Sequence, residues 1–274
     1  MQDGRKADDL SKKGQIRAQY LTEFSPREYH STFYSVLDDE VKFFLEVYHN
    51  AFEKDNLLTS RGSNQRRVLD FGCGPVPVYA GTAAYFANSV TMAEIAPSNR
   101  QAINSWMNSE EGALDWNLFF SHIASLDGGT KTGEDYAQRL RDVFQLVVPC
   151  DGELENPLHP ICQTYDVVMS TLCLEFATIS LDDYRAMLAN VTHLIKPGGV
   201  LMMAGALGNT SYCVGQTKYP SVNLTKEAIA DVVTSVETLE LVALRTLGRQ
   251  TSLDEKPADH NGIFFVMAQK MGTE

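Results

Sequence analysis

With 274 residues the chain is long enough for one large α/β domain around a buried core, and too short for two full-sized domains with a linker. A formal net charge of −12 excludes a general affinity for nucleic acid, because neutralising phosphates takes clustered Lys and Arg, and it favours a small neutral or cationic partner. Five cysteines (Cys73, Cys150, Cys162, Cys173, Cys213) without CxxC spacing and six histidines without ligand spacing predict neither a disulfide framework nor a metal site; with a charged N-terminus and no apolar run of membrane-spanning length, the expectation is a cytoplasmic monomer.

The first thirty or so residues are polar but carry Tyr20, Phe24 and Tyr29, followed by Phe33 and Tyr34. Val41, Phe44, Leu45, Val47, Tyr48 and Phe52 then recur at helical spacing and predict a helix over 37–52. A strand over 67–71 runs into the turn Gly72-Cys73-Gly74-Pro75, with a helix over 78–87 after it. The next strand, 90–95, carries Glu94 at its end, and Ser98 is read as the cap of a helix containing Ile103 and Trp106. Residues 108–132 are an irregular excursion with a partial helix, 136–143 a helix, and 144–148 a strand stopping at Asp151. A buried strand over 166–170, a helix over 181–194, the turn Lys196-Pro197-Gly198-Gly199 and a strand over 200–205 follow. A hairpin-like stretch (206–219), a helix (226–236) and two strands (240–247, 262–270) close the chain. This alternation predicts an α/β fold with a mostly parallel, doubly wound sheet ending in an antiparallel pair, one domain over 1–274 whose core (37–274) follows an N-terminal segment (1–36).

In such a sheet a ligand lies beyond the carboxyl ends of the strands, and glycines in the first βα turn admit its close approach. Gly72 and Gly74 stand there, although a Gly-x-Gly pair also serves a plain tight turn. Glu94, about twenty residues on, is placed to accept from both ribose hydroxyls of a nucleoside. A dinucleotide would want a third glycine for its pyrophosphate, and the chain has Pro75-Val76-Pro77 instead. A cofactor without phosphate, such as S-adenosylmethionine, needs no such cradle, and Asp151 is a candidate acceptor for its adenine amino group.

Several phrases stand together from Tyr20 onward: Tyr20-Leu-x-x-Phe-x-Pro-Arg-x-Tyr29 with Tyr34, Asp70-x-Gly-x-Gly-Pro75, Gly112-Ala-Leu-Asp-Trp116, Ser170-Thr-Leu-Cys-Leu-Glu175, Lys196-Pro-Gly-Gly199, Gly215-x-x-Lys-Tyr219 and Gly262-Ile-Phe-Phe. The set resembles the small-molecule amine methyltransferases, the family of nicotinamide, phenylethanolamine and indolethylamine N-methyltransferases. The resemblance implies a Rossmann-like class I methyltransferase fold with an N-terminal helical lid, and methyl transfer from S-adenosylmethionine to a small amine or pyridine-type nitrogen. It also implies that Tyr29 and Tyr34 hold the cofactor carboxylate, that Gly72 and Thr171 border its amino-acid part, that Glu94 and Asn99 serve its ribose and neighbouring groups, and that Asp151 meets its adenine. Members usually have Asp where this chain has Glu94, and a tyrosine one place earlier than Tyr79.

Transfer to nitrogen requires alignment more than a nucleophilic residue, but a protonated amine must first shed a proton to a nearby group. Glu175, just past the fourth strand, is the candidate, and the resemblance adds Asp259 as a second acidic contact. Gly205 falls where nicotinamide-specific members carry an aspartate for the carboxamide, and Gly208 and Asn209 fall where phenylethanolamine enzymes are acidic. Ser221 is left as a polar contact. The pocket therefore copies neither, and an amine acceptor is expected over nicotinamide, with nicotinamide methylation proper or a non-catalytic cofactor-binding member as the alternatives.

Overall fold

The computed structural model describes residues 2–54, 58, 66–249 and 257–272. Helices α1 (Gln2–Thr22), α2 (Pro26–Phe33) and α3 (Asp39–Lys54) precede the sheet. Helix α2 starts where the Ser25 side chain accepts the Glu28 N–H, and Pro26 takes the first position, where no N–H is needed. Along α3 the predicted stripe, Val41, Phe44, Leu45, Tyr48 and Phe52, is buried, each fully buried side chain stabilising by roughly 1.5–3 kcal/mol.

Among the described residues, seven strands form the main sheet: β1 (Arg67–Phe71), β2 (Ser89–Ala93), β3 (Phe144–Val148), β4 (Tyr165–Thr171), β5 (Ile195–Leu207), β8 (Leu239–Gly248) and β9 (Gly262–Lys270). Their order is β3-β2-β1-β4-β5-β9-β8, parallel from β3 to β5, with β9 antiparallel to both its neighbours. From β1 the chain winds outward to β3 and then returns to β4 on the other side of β1. That reversal opens a crevice at the carboxyl ends of β1 and β4.

Strand residues alternate between two cores. Val68, Val167, Met169, Val200 and Met202 face one side, covered by α3 and by α5 (Pro97–Met107), α6 (Asn117–Leu126) and α7 (Gly133–Val143). Leu69, Val168, Leu201 and Met203 face the other, under α9 (Leu181–Thr192) and α10 (Lys226–Thr234). A hairpin, β6 (Ser211–Val214) and β7 (Thr217–Pro220), turns through Gly215 at φ +58, and a Cβ there would lie 2.5 Å from the Glu28 carboxylate of α2. Helices α1 and α2 thus seat Tyr20, Phe24, Tyr29 and Phe33 on Tyr212, Tyr219 and Phe176.

Local differences from the sequence reading have local causes. Ser98 does not cap α5: Pro97 takes the first helical position, and the Ser98 hydroxyl donates to the Phe24 carbonyl at 3.1 Å. The helix after the glycine turn, α4, is confined to Val78–Gly81, and the chain continues in turns such as Ala83 N–H to Ala80 O. Helix α7 begins three residues early because Thr132 and Asp135 close a capping box. The short helix α8 (Leu174–Ala177) follows β4.

Candidate active site

The first βα turn is pinned to the end of β2, since the N–H groups of Gly72 and Cys73 both donate to the Ala93 carbonyl (2.8 and 3.1 Å). Gly72 has φ +69, and a Cβ on it would lie 2.0 Å from the Cys173 sulfur, so only glycine fits. One residue past β2, Glu94 is buried and accepts from the Gly74 N–H (3.0 Å), the Ala96 N–H (2.8 Å) and the Asn99 amide (3.1 Å). Burial still holds its carboxyl above the ordinary range against these donors.

Asp70 ends this row with 0% exposure, and neither of its oxygens has a partner among the described residues; the same is true of the Asn99 oxygen. Burial, then the nearby Glu94 charge, pushes the Asp70 carboxyl up to about 8. Buried acceptors left open beside a cavity call for a donor-bearing ligand or water. A molecule with an ammonium, ribose hydroxyls and an adenine amino group supplies such donors, so the residues present fit S-adenosylmethionine.

The eight expected cofactor contacts, Tyr29, Tyr34, Gly72, Gly74, Glu94, Asn99, Asp151 and Thr171, line one cavity at the crevice. The hydroxyls of Tyr34 and Tyr79 lie 3.0 Å apart and those of Thr171 and Tyr48 2.8 Å apart, which fixes two of the walls. Tyr79 therefore reaches the cavity in spite of its one-place offset. Asp151 is engaged as well: one oxygen accepts from Arg17 on α1 and the other from the Glu153 N–H.

A second cavity adjoins the first, and Tyr29, Tyr34, Leu172, Phe176 and Tyr212 line both. Its remaining walls are largely apolar, including Phe33, Val41, Phe44 and Ile263, while Asp38, Glu40 and His260 bring polar groups.

Comparison with known proteins bears on what occupies these cavities. The model of the NNMT/PNMT/TEMT family matches residues 13–271. The chain belongs to this family. It is 31% identical to the indolethylamine N-methyltransferase of Oryctolagus cuniculus over 92% of this chain and 95% of that one. It is 27% identical to the nicotinamide N-methyltransferase of Homo sapiens over the same shares. In fold it is similar to an S-adenosylmethionine-dependent methyltransferase of Clostridium acetobutylicum, at a TM-score of 0.54 and 11% identity, covering 90% of this chain and 97% of that one. As a family member the chain is an S-adenosylmethionine-dependent N-methyltransferase, which sets the dinucleotide alternative aside.

The expected acceptor contacts of this family member lie elsewhere than the second cavity. Glu175 is 1% exposed and sits behind the wall, its Oε1 accepting from the N–H of Ala206 at 2.9 Å; burial lifts its carboxyl to about 7. Gly205 faces away from Ala206, toward Glu175 and Phe264, at 2.5 and 2.7 Å from where a Cβ would be. Asp259 is a turn-fastening residue: its oxygens accept from the N–H groups of Thr210 (2.7 Å) and Ser211 (3.1 Å) and from the Thr210 hydroxyl. Burial works against its charge, yet these hydrogen bonds prevail and hold its carboxyl below the usual range. Ser221 donates to the adjacent Val222 carbonyl at 3.4 Å.

The residues missed by sequence reasoning are Lys13, Ile16 and Arg17 over the first cavity and Glu40 in the second. Lys13, Ile16, Arg17 and Tyr20 recur at i, i+3, i+4 and i+7, a helical face that was available to read. Nothing in the local sequence marks Glu40.

Proposed function

We propose that this N-methyltransferase takes S-adenosylmethionine into the first cavity and a small arylalkyl amine into the second. The observation that carries this reading is that the two cavities are adjacent, both lined by Tyr29, Tyr34, Leu172, Phe176 and Tyr212, which brings a nitrogen in one next to a methyl group in the other. When bound, the cofactor supplies an electrophilic sulfonium methyl. Tyr29 and Tyr34 hold its carboxylate, Gly72 and Thr171 border its amino-acid part, and Asp70 faces its ammonium.

Glu94 and Asn99 hold the ribose. A carboxylate offers about four lone-pair sites, and three are already used, so Glu94 takes one hydroxyl on Oε2 and a second only by releasing a present donor. Asp151 serves the adenine amino group in competition with Arg17. Helices α1 and α2 act as a lid that excludes water from the nitrogen.

The apolar walls suit an aromatic body, and the acidic groups at one end suit a cation. Glu175 supports that end through Ala206 rather than by contact. Gly205 faces away from this cavity, so support for an amine over nicotinamide comes from Asp38 and Glu40 on the cavity wall and not from the lack of a side chain at Gly205. The enzyme acts as one domain and a monomer, without a nucleic-acid partner, in the cytoplasm; its five free thiols suit a reducing compartment, and its net charge of −12 repels phosphate. Among the described residues no helix is long and apolar enough to cross a membrane. The test is a panel of arylethylamines, pyridines and nicotinamide with labelled cofactor. The amines should give the highest kcat/KM, and nicotinamide as best acceptor would refute the assignment.

A further inference from the structure

Two polar side chains of the second cavity are joined across the fold. Nε2 of His260 lies 2.9 Å from Oε1 of Glu40, at the start of α3 and 220 positions away in sequence. Both are withdrawn from solvent, with side-chain exposures of 9% and 15%. A carboxylate facing an imidazole nitrogen accepts its hydrogen, so in the neutral ring Nε2 carries the proton and Nδ1 the lone pair.

Arg249, just past β8, braces the pair: its Nη1 donates to the carbonyls of Ala258 (2.7 Å) and His260 (3.0 Å), and its Nε lies 4.0 Å from Glu40 Oε1. Among the described residues, the other ionisable groups lining this compartment are Asp38, which accepts the Val41 N–H at 2.9 Å, and the phenols of Tyr29, Tyr34 and Tyr212. The adjacent Asp259 is committed to Thr210 and Ser211. His260 is thus the one imidazole on the cavity wall among the described residues, and its geometry is set by a carboxylate.

We propose that His260, positioned by Glu40, takes the proton from an acceptor that enters as an ammonium ion. This rests on the amine reading above. An ammonium nitrogen has no lone pair and must lose a proton before it attacks. The proton passes to Nδ1, and Glu40 offsets the charge of the imidazolium. The freed lone pair forms the nitrogen–carbon bond as the carbon–sulfur bond breaks, its electron pair staying on sulfur, so the sulfonium becomes a thioether. The methylated ammonium departs, and His260 returns its proton to solvent. A pyridine-type nitrogen arrives with its lone pair bare and needs no base.

The test compares a primary arylethylamine with quinoline, using the full chain and labelled cofactor, in the wild type, His260→Asn and Glu40→Gln. His260→Asn should lower kcat/KM for the amine by about 100-fold at pH 7.5, and by at least about 30-fold more than for quinoline. The amine defect should close as pH nears about 10, where an alkylamine sheds its proton unaided. Glu40→Gln should show the same selectivity with a smaller loss, about tenfold. Affinity for the demethylated cofactor, measured by calorimetry, should be unchanged in both and certifies folding; if His260→Asn fails that check, Glu40→Gln carries the comparison. Equal losses on both acceptors, or a defect as deep at pH 10 as at pH 7.5, overturn the assignment of the base alone. A wild type that binds the cofactor product yet methylates neither acceptor overturns the amine reading and this inference with it.

Discussion

Arg17 of α1 donates a hydrogen bond to the carboxylate of Asp151 beyond β3, so the N-terminal helix is fastened to the strand end assigned to adenine. Lys13, one turn earlier, makes a comparable pair with Asp183 at the start of α9. Arg17 is 41% exposed on its side chain, so solvent screens the pair and its worth is at most about 1 kcal/mol. Arg17→Met should therefore speed hydrogen exchange along α1 by no more than about fivefold in the free protein, and bound cofactor should slow that exchange in the wild type. Exchange along α1 that ignores both changes would count against a lid.

Replacing Glu94 tests the cofactor site. Glu94→Ala removes a charged acceptor and strands the Gly74, Ala96 and Asn99 donors. At about 1.5–3 kcal/mol for a hydrogen bond to a charged group, affinity for the demethylated cofactor should fall by roughly 10- to 150-fold. Calorimetry on folded protein with unaltered affinity would remove Glu94 from the site.

Glu175 should make the free enzyme less stable as pH rises. Its carboxyl is raised by burial to about 7, whereas an unfolded glutamate titrates near 4.5, so between these values the folded state holds a proton that the unfolded state has released. The stabilisation is whole below about 4.5 and is lost as pH rises through about 7, amounting to at most about 3 kcal/mol. Denaturant titrations at pH 5 and pH 8 should show a smaller difference in Glu175→Gln than in the wild type. Asp70 shifts in the same sense and leaves a residual slope in the variant. An identical pH dependence in both proteins would mean that Glu175 ionises freely.

Installing at Gly205 the aspartate that the sequence resemblance suggested should fail for a steric reason. In Gly205→Asp the new Cβ meets Glu175 Oε1 at 2.5 Å and the Phe264 ring at 2.7 Å, and a second carboxylate enters a buried acidic spot. Overpacking and desolvation together should cost about 2–4 kcal/mol, read as a lower denaturation midpoint, with no gain in nicotinamide turnover. Shortening the neighbour in Gly205→Asp/Glu175→Ala should recover much of the stability. A single variant as stable as the wild type would show that Glu175 yields easily.

The sheet and the cofactor row were legible because both are written in short-range signals. Val68 and Leu69 alternate within a buried run, Gly72 marks a backbone that must turn left, and Glu94 follows a strand by one residue. The acceptor end was not legible, because its pairings are long-range. The donors that hold Asp259 come from Thr210 and Ser211, almost fifty residues away, and the partner of His260 stands near the other end of the chain. The N-terminal helical segment came from the family resemblance and not from spacing, because the inward face of α1 mixes cations with apolar residues and hydrophobic spacing alone does not announce it.

The partition of Tyr29, Tyr34, Leu172, Phe176 and Tyr212 belongs to two compartments at once. Whatever presses on it from one side alters the room on the other, so the two binding equilibria are thermodynamically linked. With an amine and the nucleoside in the two compartments as proposed, whatever factor one ligand puts on the affinity of the other is returned in equal measure. Tyr29 and Phe33 also pack against each other on α2 at a tilt, with ring centroids 5.2 Å apart, so the linkage reaches the helix proposed as the lid. Saturating one substrate should consequently alter the apparent Michaelis constant of the other.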